Sequence, residues 1–190
     1  LLDDSVDLVI LDVMMPGMNG YTVCAEIRRR STVPILFLTA KTQDSDKTLG
    51  FSVGGDDYLI KPFSYNELIN RVRALIRRCY VYSASAAEQS HIIRCCGTIE
   101  IDTSQCQVRV DGQEVFLTDT EYRILLLLAS HPKQVFSVQS IYETIWNEPY
   151  FYTSNNTVMV HIRNLRRKLG DDPQNSHTIQ TVWGKGYRIE

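Results

Sequence analysis

Residues 7–20, DLVILDVMMPGMNG, decide the fold of the first half of the chain. Asp7–Asp12 is a near-continuous apolar run closed by a carboxylate, the pattern of a strand buried on both faces of a parallel sheet. Pro16-Gly17 and Asn19-Gly20 mark a turn after it. Tyr21–Arg30 then has helical spacing, with Val23, Cys24 and Ile27 on one side and Glu26, Arg28, Arg29 and Arg30 elsewhere. Further out, Val33–Leu38 is a second apolar strand and Ser45–Val53 a short helix ended by Gly54-Gly55. Tyr58–Ile60 is a third strand, and Ser64–Arg78 is a helix with Leu68, Val72, Leu75 and Ile76 inward. Strands alternating with helices predict βαβ units and a parallel sheet over residues 1–78.

The texture then changes. Residues 79–94 contain small polar side chains without apolar periodicity and read as a flexible linker. Residues 95–190 run in another order. Gly97–Asp102, Gln107–Val110 and Gln113–Leu117 are short antiparallel strands, with Asp111-Gly112 as a hairpin turn. Thr118-x-x-Glu121 is a capping box that opens an apolar helix through Ala129. Ser137–Trp146 is a second helix, Asn147–Thr153 a polar-aromatic loop, and Ser154–Leu169 a third helix stopped by Gly170. Thr178–Val182, Gly184-Lys185-Gly186 and Tyr187–Glu190 form a glycine-tipped hairpin. Strands, three helices and a terminal hairpin describe an α+β winged helix-turn-helix.

Composition narrows the function classes. The chain has 190 residues, 44% apolar and 22% charged, which excludes a disordered or low-complexity protein and allows one or two domains. A net charge of -2 gives no global basic field, so any nucleic-acid surface must be local. The longest apolar runs fall far short of the ~20 residues of a membrane span. Asp3, Asp4 and Asp7 occupy the place of a positive signal-peptide region. Five cysteines without a CxxC pair support neither a zinc knuckle nor a thioredoxin-type motif, and favour a reducing cytoplasm.

Asp12 closes a strand where α/β sheets place their ligands. Such a carboxylate can be a metal ligand, a nucleophile toward a phosphoryl donor, or a loop cap. Thr39 and Lys61 close the second and third strands, so all three side chains share one sheet edge. A carboxylate with a hydroxyl and an ammonium suits a phosphoryl group. Lys61 precedes Pro62, where a cis bond would aim the lysine. A phosphatase working through a phospho-aspartate wants a second acid nearby, and Asp12-Val13-Met14 offers none, so an enzyme is not expected.

The motifs DVMMPGMNG from Asp12, LTAK at 38–41, GGDDYLIKPF at 54–63 and ELINRVRALIRR at 67–78 resemble the flavodoxin-like receiver domain of two-component response regulators. The resemblance implies that Asp12 accepts a phosphoryl group from a histidine kinase and that Thr39 and Lys61 bind its oxygens. It makes Tyr58 the aromatic that swings inward and the Met14 carbonyl a Mg2+ ligand beside Asp12. It also implies five βα units, of which this chain carries the last three. The expectation is therefore a truncated receiver in which the acidic pair of the magnesium site is missing, with a chain that starts at Leu1. Lys47, Asp56, Asp57, Glu67, Arg71 and Arg78 match the set through which one subfamily forms homodimers. The implied cross-dimer pairs are Lys47–Glu67, Asp57–Arg71 and Asp56–Arg78, against a plain alternative of local pairing such as Glu67 with Arg71.

In the third helix, Val158, Ile162, Leu165 and Leu169 form one apolar stripe. At 100° per residue, Asn156, Thr157, Val160, Arg163, Asn164, Arg167 and Lys168 then fall outward, with Arg166 adding to the basic run and His161 on the flank. Guanidinium and ammonium groups suit phosphates, whereas Asn, Thr and Val suit base edges and thymine methyls. Lys185 makes the hairpin tip basic, and Trp183 beside it fits either DNA contact or packing on the third helix.

TDTEYRILLLLASHP at 118–132, SIYETIWN at 140–147, NNTVMVHIRNLRRKLGDD at 155–172 and IQTVWGKGYRIE at 179–190 resemble the winged-helix effector of OmpR/PhoB-type regulators. That resemblance implies a recognition helix in the major groove, a wing beside the minor groove, and promoter direct repeats as the target. It also implies contact of Asn147–Thr153 with RNA polymerase. The chain as a whole resembles the glycopeptide-resistance-type regulators. The reading is a cytoplasmic DNA-binding transcription regulator switched by phosphorylation of Asp12; a truncated, phosphorylation-independent DNA binder is the alternative.

Overall fold

The computed structural model describes residues 6–40, 50–84, 92–147, 149–150, 155–171 and 176–190, with backbone alone for 77–84. The chain divides into two compact units, Leu1–Val81 and Tyr82–Glu190. In the first, β1 (Val9–Asp12), β2 (Ile35–Thr39) and β3 (Asp57–Ile60) form a parallel sheet in the order β1-β2-β3. The apolar run of β2 is buried from Ile35 to Phe37, as a strand covered on both faces requires. Leu36 and Leu59 pack with Leu75 of α2 (Tyr65–Ala84), and Leu68 and Val72 lie against them. Side chains alternate along a strand, so Phe37 and Tyr58 face the other way. Their rings lie 5.1 Å apart, tilted by 31°, with Tyr21 edge-on to Phe37 and Phe51 edge-on to Tyr58.

Helix α1 (Gly20–Arg28) begins where the sequence suggested a second turn. The Asn19 side chain accepts a hydrogen bond from the Tyr21 N–H and caps the helix. Gly20 is needed there because a Cβ would lie 2.4 Å from the Asp12 carbonyl oxygen. The expected helix at 45–53 lies outside the described residues except near its end, where 50–52 are helical.

In the second unit, β4 (Ile92–Cys95), β5 (Ile99–Asp102), β6 (Gln107–Val110) and β7 (Gln113–Glu114) form an antiparallel sheet in that order. Asp111 and Gly112 both take positive φ, the requirement of a tight two-residue hairpin. Helices α3 (Asp119–Ala129), α4 (Val138–Trp146) and α5 (Asn155–Lys168) follow, then the hairpin β8 (Ile179–Val182) and β9 (Gly186–Ile189). The capping box is complete: Thr118 Oγ1 accepts from the Glu121 N–H, and Glu121 Oε2 accepts from the Thr118 N–H. Ile124, Leu125, Leu128, Ile141, Ile162 and Leu165 are fully buried where the three helices meet.

The expected linker 79–94 holds secondary structure at both ends, because α2 runs to Ala84 and β4 starts at Ile92. β4 lacked a clear signal: Ile92 and Arg94 are exposed, and the strand exists through its pairing with β5. Cys95 ends that strand, and burial pushes its thiol up to about 12. Cys24 is likewise pushed up to about 11, so both stay protonated at neutral pH. No described helix is long and apolar enough to cross a membrane.

Candidate phosphoacceptor edge and nucleic-acid interface

Parallel pairing aligns the carboxyl ends of all three strands. Asp12 is in register with Leu38, Thr39 with Ile60, and the Lys61 N–H donates to the Thr39 carbonyl. Asp12, Thr39 and Lys61 therefore meet at one edge, as their positions in sequence required. Lys61 Nζ donates to Asp12 Oδ2, and the Met14 N–H donates to Oδ1 at 3.0 Å. These two hydrogen bonds, the lysine first, hold the Asp12 carboxyl below its ordinary value. The Asp12 side chain is 32% exposed, open to a reactant, whereas Thr39 is buried. Tyr58 already points inward, between Phe37 and Phe51. The Lys61–Pro62 bond is cis.

The outer face of α5 is narrower than its periodicity suggested. Val158, Ile162, Leu165 and Leu169 are buried as expected. Thr157, Val160, His161 and Asn164 are buried as well, which corrects their placement on the outer face and flank. The reason is that α5 has several neighbours: α3 and α4 pack on it, and the Trp146 ring lies 5.6 Å from that of His161. What remains open is Asn156, Met159, Arg163 and Arg167. Met159, 52% exposed, was missed; its spacing of three and four residues from Asn156 and Arg163 is the signal that could have found it.

The four basic residues of α5 divide into two pairs. Arg166 Nη2 donates to the Ile179 carbonyl and to Thr181 Oγ1, and its guanidinium lies 5.7 Å from the centre of the Tyr187 ring. Lys168 Nζ donates at 2.6 Å to Glu121, whose carboxylate is 2% exposed. Both clamp the domain together. Among the described residues, Arg163 and Arg167 form no ion pair and face solvent. Trp183, 90% exposed at the hairpin tip, does not pack on α5, and Lys185 is exposed beside it.

Residues 1–73 match the family "Response regulator receiver domain", and residues 112–189 match "Transcriptional regulatory protein, C terminal". The chain is 50% identical over 189 residues to the transcriptional regulatory protein YrkP of Bacillus subtilis (strain 168), covering 100% of this chain and 81% of that one. It is 42% identical to the regulatory protein VanR of Enterococcus faecium, over 97% of this chain and 80% of that one. A solved structure of a RitR mutant superposes with a TM-score of 0.71 at 25% identity, over 98% of this chain and 80% of that one. The chain belongs to the OmpR/PhoB family of two-component response regulators.

Two of the implied sites of this response regulator lie only partly within the described residues. Receivers bind Mg2+, which takes about six oxygen ligands. Among the described residues the edge offers the Asp12 carboxylate, and no group of three or more acidic, His or Cys side chains gathers. The described residues alone do not fit the ion.

The implied dimer set is the second. Asp56 is fully buried and bound inside the receiver, accepting from Arg28 Nη2 at 2.7 Å and from the Ile35 N–H at 2.9 Å. It is therefore not a surface partner for Arg78. Arg71 holds both oxygens of Asp57, at 2.9 and 3.1 Å, and reaches Glu67 at 3.7 Å, all within one chain. Lys47 and the Arg78 side chain lie outside the described residues.

Proposed function

We infer that this response regulator binds promoter DNA through α5 and the hairpin, and that phosphorylation of Asp12 by a cognate histidine kinase controls that binding. The observation that carries the reading is the division of cations on α5: Arg166 and Lys168 are spent on internal contacts, while Arg163 and Arg167 stand open beside Asn156 and Met159. Two guanidinium groups suit phosphates; an amide and a thioether suit base edges and thymine methyls.

At the sheet edge, an Asp12 carboxylate oxygen attacks the phosphorus of a phosphohistidine donor, the N–P bond breaks, and the imidazole leaves with the bonding pair. Lys61, already on Asp12, then follows the negative charge to the phosphoryl oxygens. Thr39 supplies a hydroxyl to the same oxygens once Asp12 carries the group. In this reading the regulator works in the cytoplasm as a homodimer on direct repeats, and 147–153 meets RNA polymerase. Of that loop, Asn147 caps α4 and Tyr150 donates to Asn155 Oδ1; residues 148 and 151–153 lie outside the described residues.

Fluorescence anisotropy of labelled duplex DNA, titrated with wild type and Asp12→Asn in the presence and absence of a small phosphoryl donor and magnesium, tests both halves. Tighter binding on phosphorylation that Asp12→Asn abolishes is expected. DNA binding indifferent to the donor would favour the second reading, a phosphorylation-independent binder. No binding at low salt would refute both.

A further inference from the structure

Cys95 and Cys96 are neighbouring thiols that stand apart from both the phosphoacceptor edge and α5. Cys95 ends β4 and lies in the core, 7% exposed; Cys96 opens the turn to β5 and is half-buried. Successive side chains of a strand point to opposite faces, which would hold the two sulfurs apart. Cys96 instead leaves the strand with a φ of 53°, and its sulfur accepts a hydrogen bond from the Cys95 thiol. The Cys96 S–H in turn faces two carbonyls, those of Thr178 and Glu190, each 3.9 Å from Sγ. Thr178 precedes β8 and Glu190 follows β9, so Cys96 ties the open end of the hairpin to the sheet. Both thiols are free.

We propose that Cys95 and Cys96 are a dithiol modification site: a peroxide oxidises the pair to a vicinal disulfide, and closing that ring releases the ends of the β8–β9 hairpin. The site does not rest on the DNA-binding reading. Cys96, the more open of the two, attacks first. Its sulfur gives up its proton and takes one peroxide oxygen as a sulfenic acid; the O–O bond breaks, and the other oxygen gains a proton and leaves as water. The Cys95 sulfur then attacks the Cys96 sulfur, the S–O bond breaks, and the hydroxyl leaves as a second water with the Cys95 proton. Two thiols lose two hydrogens, and one peroxide is reduced to two waters. Adjacent Cα atoms are about 3.8 Å apart, short of the roughly 4.4–6.8 Å that a disulfide usually spans. The ring is therefore strained, and small thiols reopen it readily. Burial pushes both thiols up, so the pair answers sustained peroxide rather than traces. Once the ring closes Cys96 has no S–H, and the Thr178 and Glu190 carbonyls lose that donor.

The test treats the full chain with hydrogen peroxide, blocks free thiols with iodoacetamide, and digests with trypsin and a glutamate-specific protease. Cleavage after Arg94 and Glu100 releases peptide 95–100, which holds these two cysteines and no other. It is expected to be lighter than the reduced peptide by two hydrogens, to carry no blocking group, and to be restored by dithiothreitol. In Cys95→Ala the ring cannot close, so Cys96 accumulates as the sulfenic acid and takes up dimedone. Cys96→Ser removes the attacking sulfur and leaves Cys95 reduced. Amide exchange across 178–190, read by mass spectrometry, is expected to run about fivefold faster in the oxidised wild type, the effect of one lost hydrogen bond, and to recover with dithiothreitol. A 95–100 peptide that stays fully blocked after peroxide overturns the proposal. So does a bond from either cysteine to Cys106 or to a second chain, and so does a closed ring that leaves exchange in the hairpin unchanged.

Discussion

Replacing Lys168 by Met separates a structural cation from a DNA-contacting one on the same helix. Glu121 is buried and accepts two hydrogen bonds at one oxygen, 2.9 Å from the Thr118 N–H and 2.6 Å from Lys168. Methionine keeps most of the aliphatic stem and leaves the carboxylate with its backbone donor alone. Stripping one partner from a buried pair costs about 3–5 kcal/mol. Lys168 is 27% exposed and Thr118 stays in place, so about 2 kcal/mol is the expectation here. In a unit of roughly 100 residues that lowers Tm by about 10 °C. Both tryptophans belong to the second unit, so tryptophan emission during a thermal ramp follows this unit alone. Arg167→Met is the counterpart: Tm stays near wild type, and the salt slope of DNA binding shallows by about 0.9. A Lys168→Met protein with wild-type Tm and a shallower slope would refute the division of the α5 cations.

Three further outcomes are expected. Arg28→Met should cost the first unit about 3–5 kcal/mol, because Asp56 is left charged and buried, and Arg28→Lys should not restore it since an ammonium cannot span Gly54, Val33 and Asp56 together; an unchanged urea midpoint by circular dichroism would count against it. Gly50→Ala places a methyl 1.2 Å from Tyr58 Oη and should expel the ring, seen as faster nitration of Tyr58 by peptide mass spectrometry; unaltered reactivity would mean the ring has another way to stay inside. Burial pushes the Asp171 carboxyl up, but hydrogen bonds from Ser176 and from the backbone of Ile179, His177 and Thr178 outweigh it, leaving the group more acidic folded than unfolded. Its ionisation therefore stabilises the fold above its unfolded value and is lost as pH falls through the lower folded one. Urea midpoints should drop in that acid window, and Asp171→Asn should flatten the drop.

The sheet edge was legible because strand ends are fixed by chain order. Once Asp12, Thr39 and Lys61 closed three parallel strands, no other packing could separate them. The charged set of the receiver was not legible in the same way. Asp56 and Asp57 are neighbours in sequence, but a strand start turns them to opposite environments: Asp56 goes to Arg28 and the Ile35 N–H, Asp57 to Arg71. Arg28 itself read only as lying off the apolar side of its helix, since helical spacing gives no sign that a long side chain reaches back over the helix end to three carbonyls. Like charge types at matching positions thus left intramolecular and intermolecular pairing undistinguished.

Helix α5 shows a different limit. Periodicity locates the centre of a buried stripe and not its width, which depends on how many elements surround the helix. Val158, Ile162, Leu165 and Leu169 gave the centre correctly. With α3, α4 and the hairpin all in contact, the buried arc widens on both sides and takes in Thr157, Val160, His161 and Asn164. The open strip that remains is one residue wide, Asn156, Met159, Arg163 and Arg167. A strip that narrow has consequences for recognition. Its amide and thioether lie toward the N-terminal end and its two guanidinium groups toward the C-terminal end, so base contacts and phosphate contacts are separated along the helix axis. Arg163→Ala should therefore weaken binding to every sequence alike, while Met159→Ala should change the ranking among sequences with the salt slope intact. If Met159→Ala lowered affinity uniformly across a panel of duplexes, the N-terminal half of α5 would be a backbone contact, and the helix would not be the element that reads sequence.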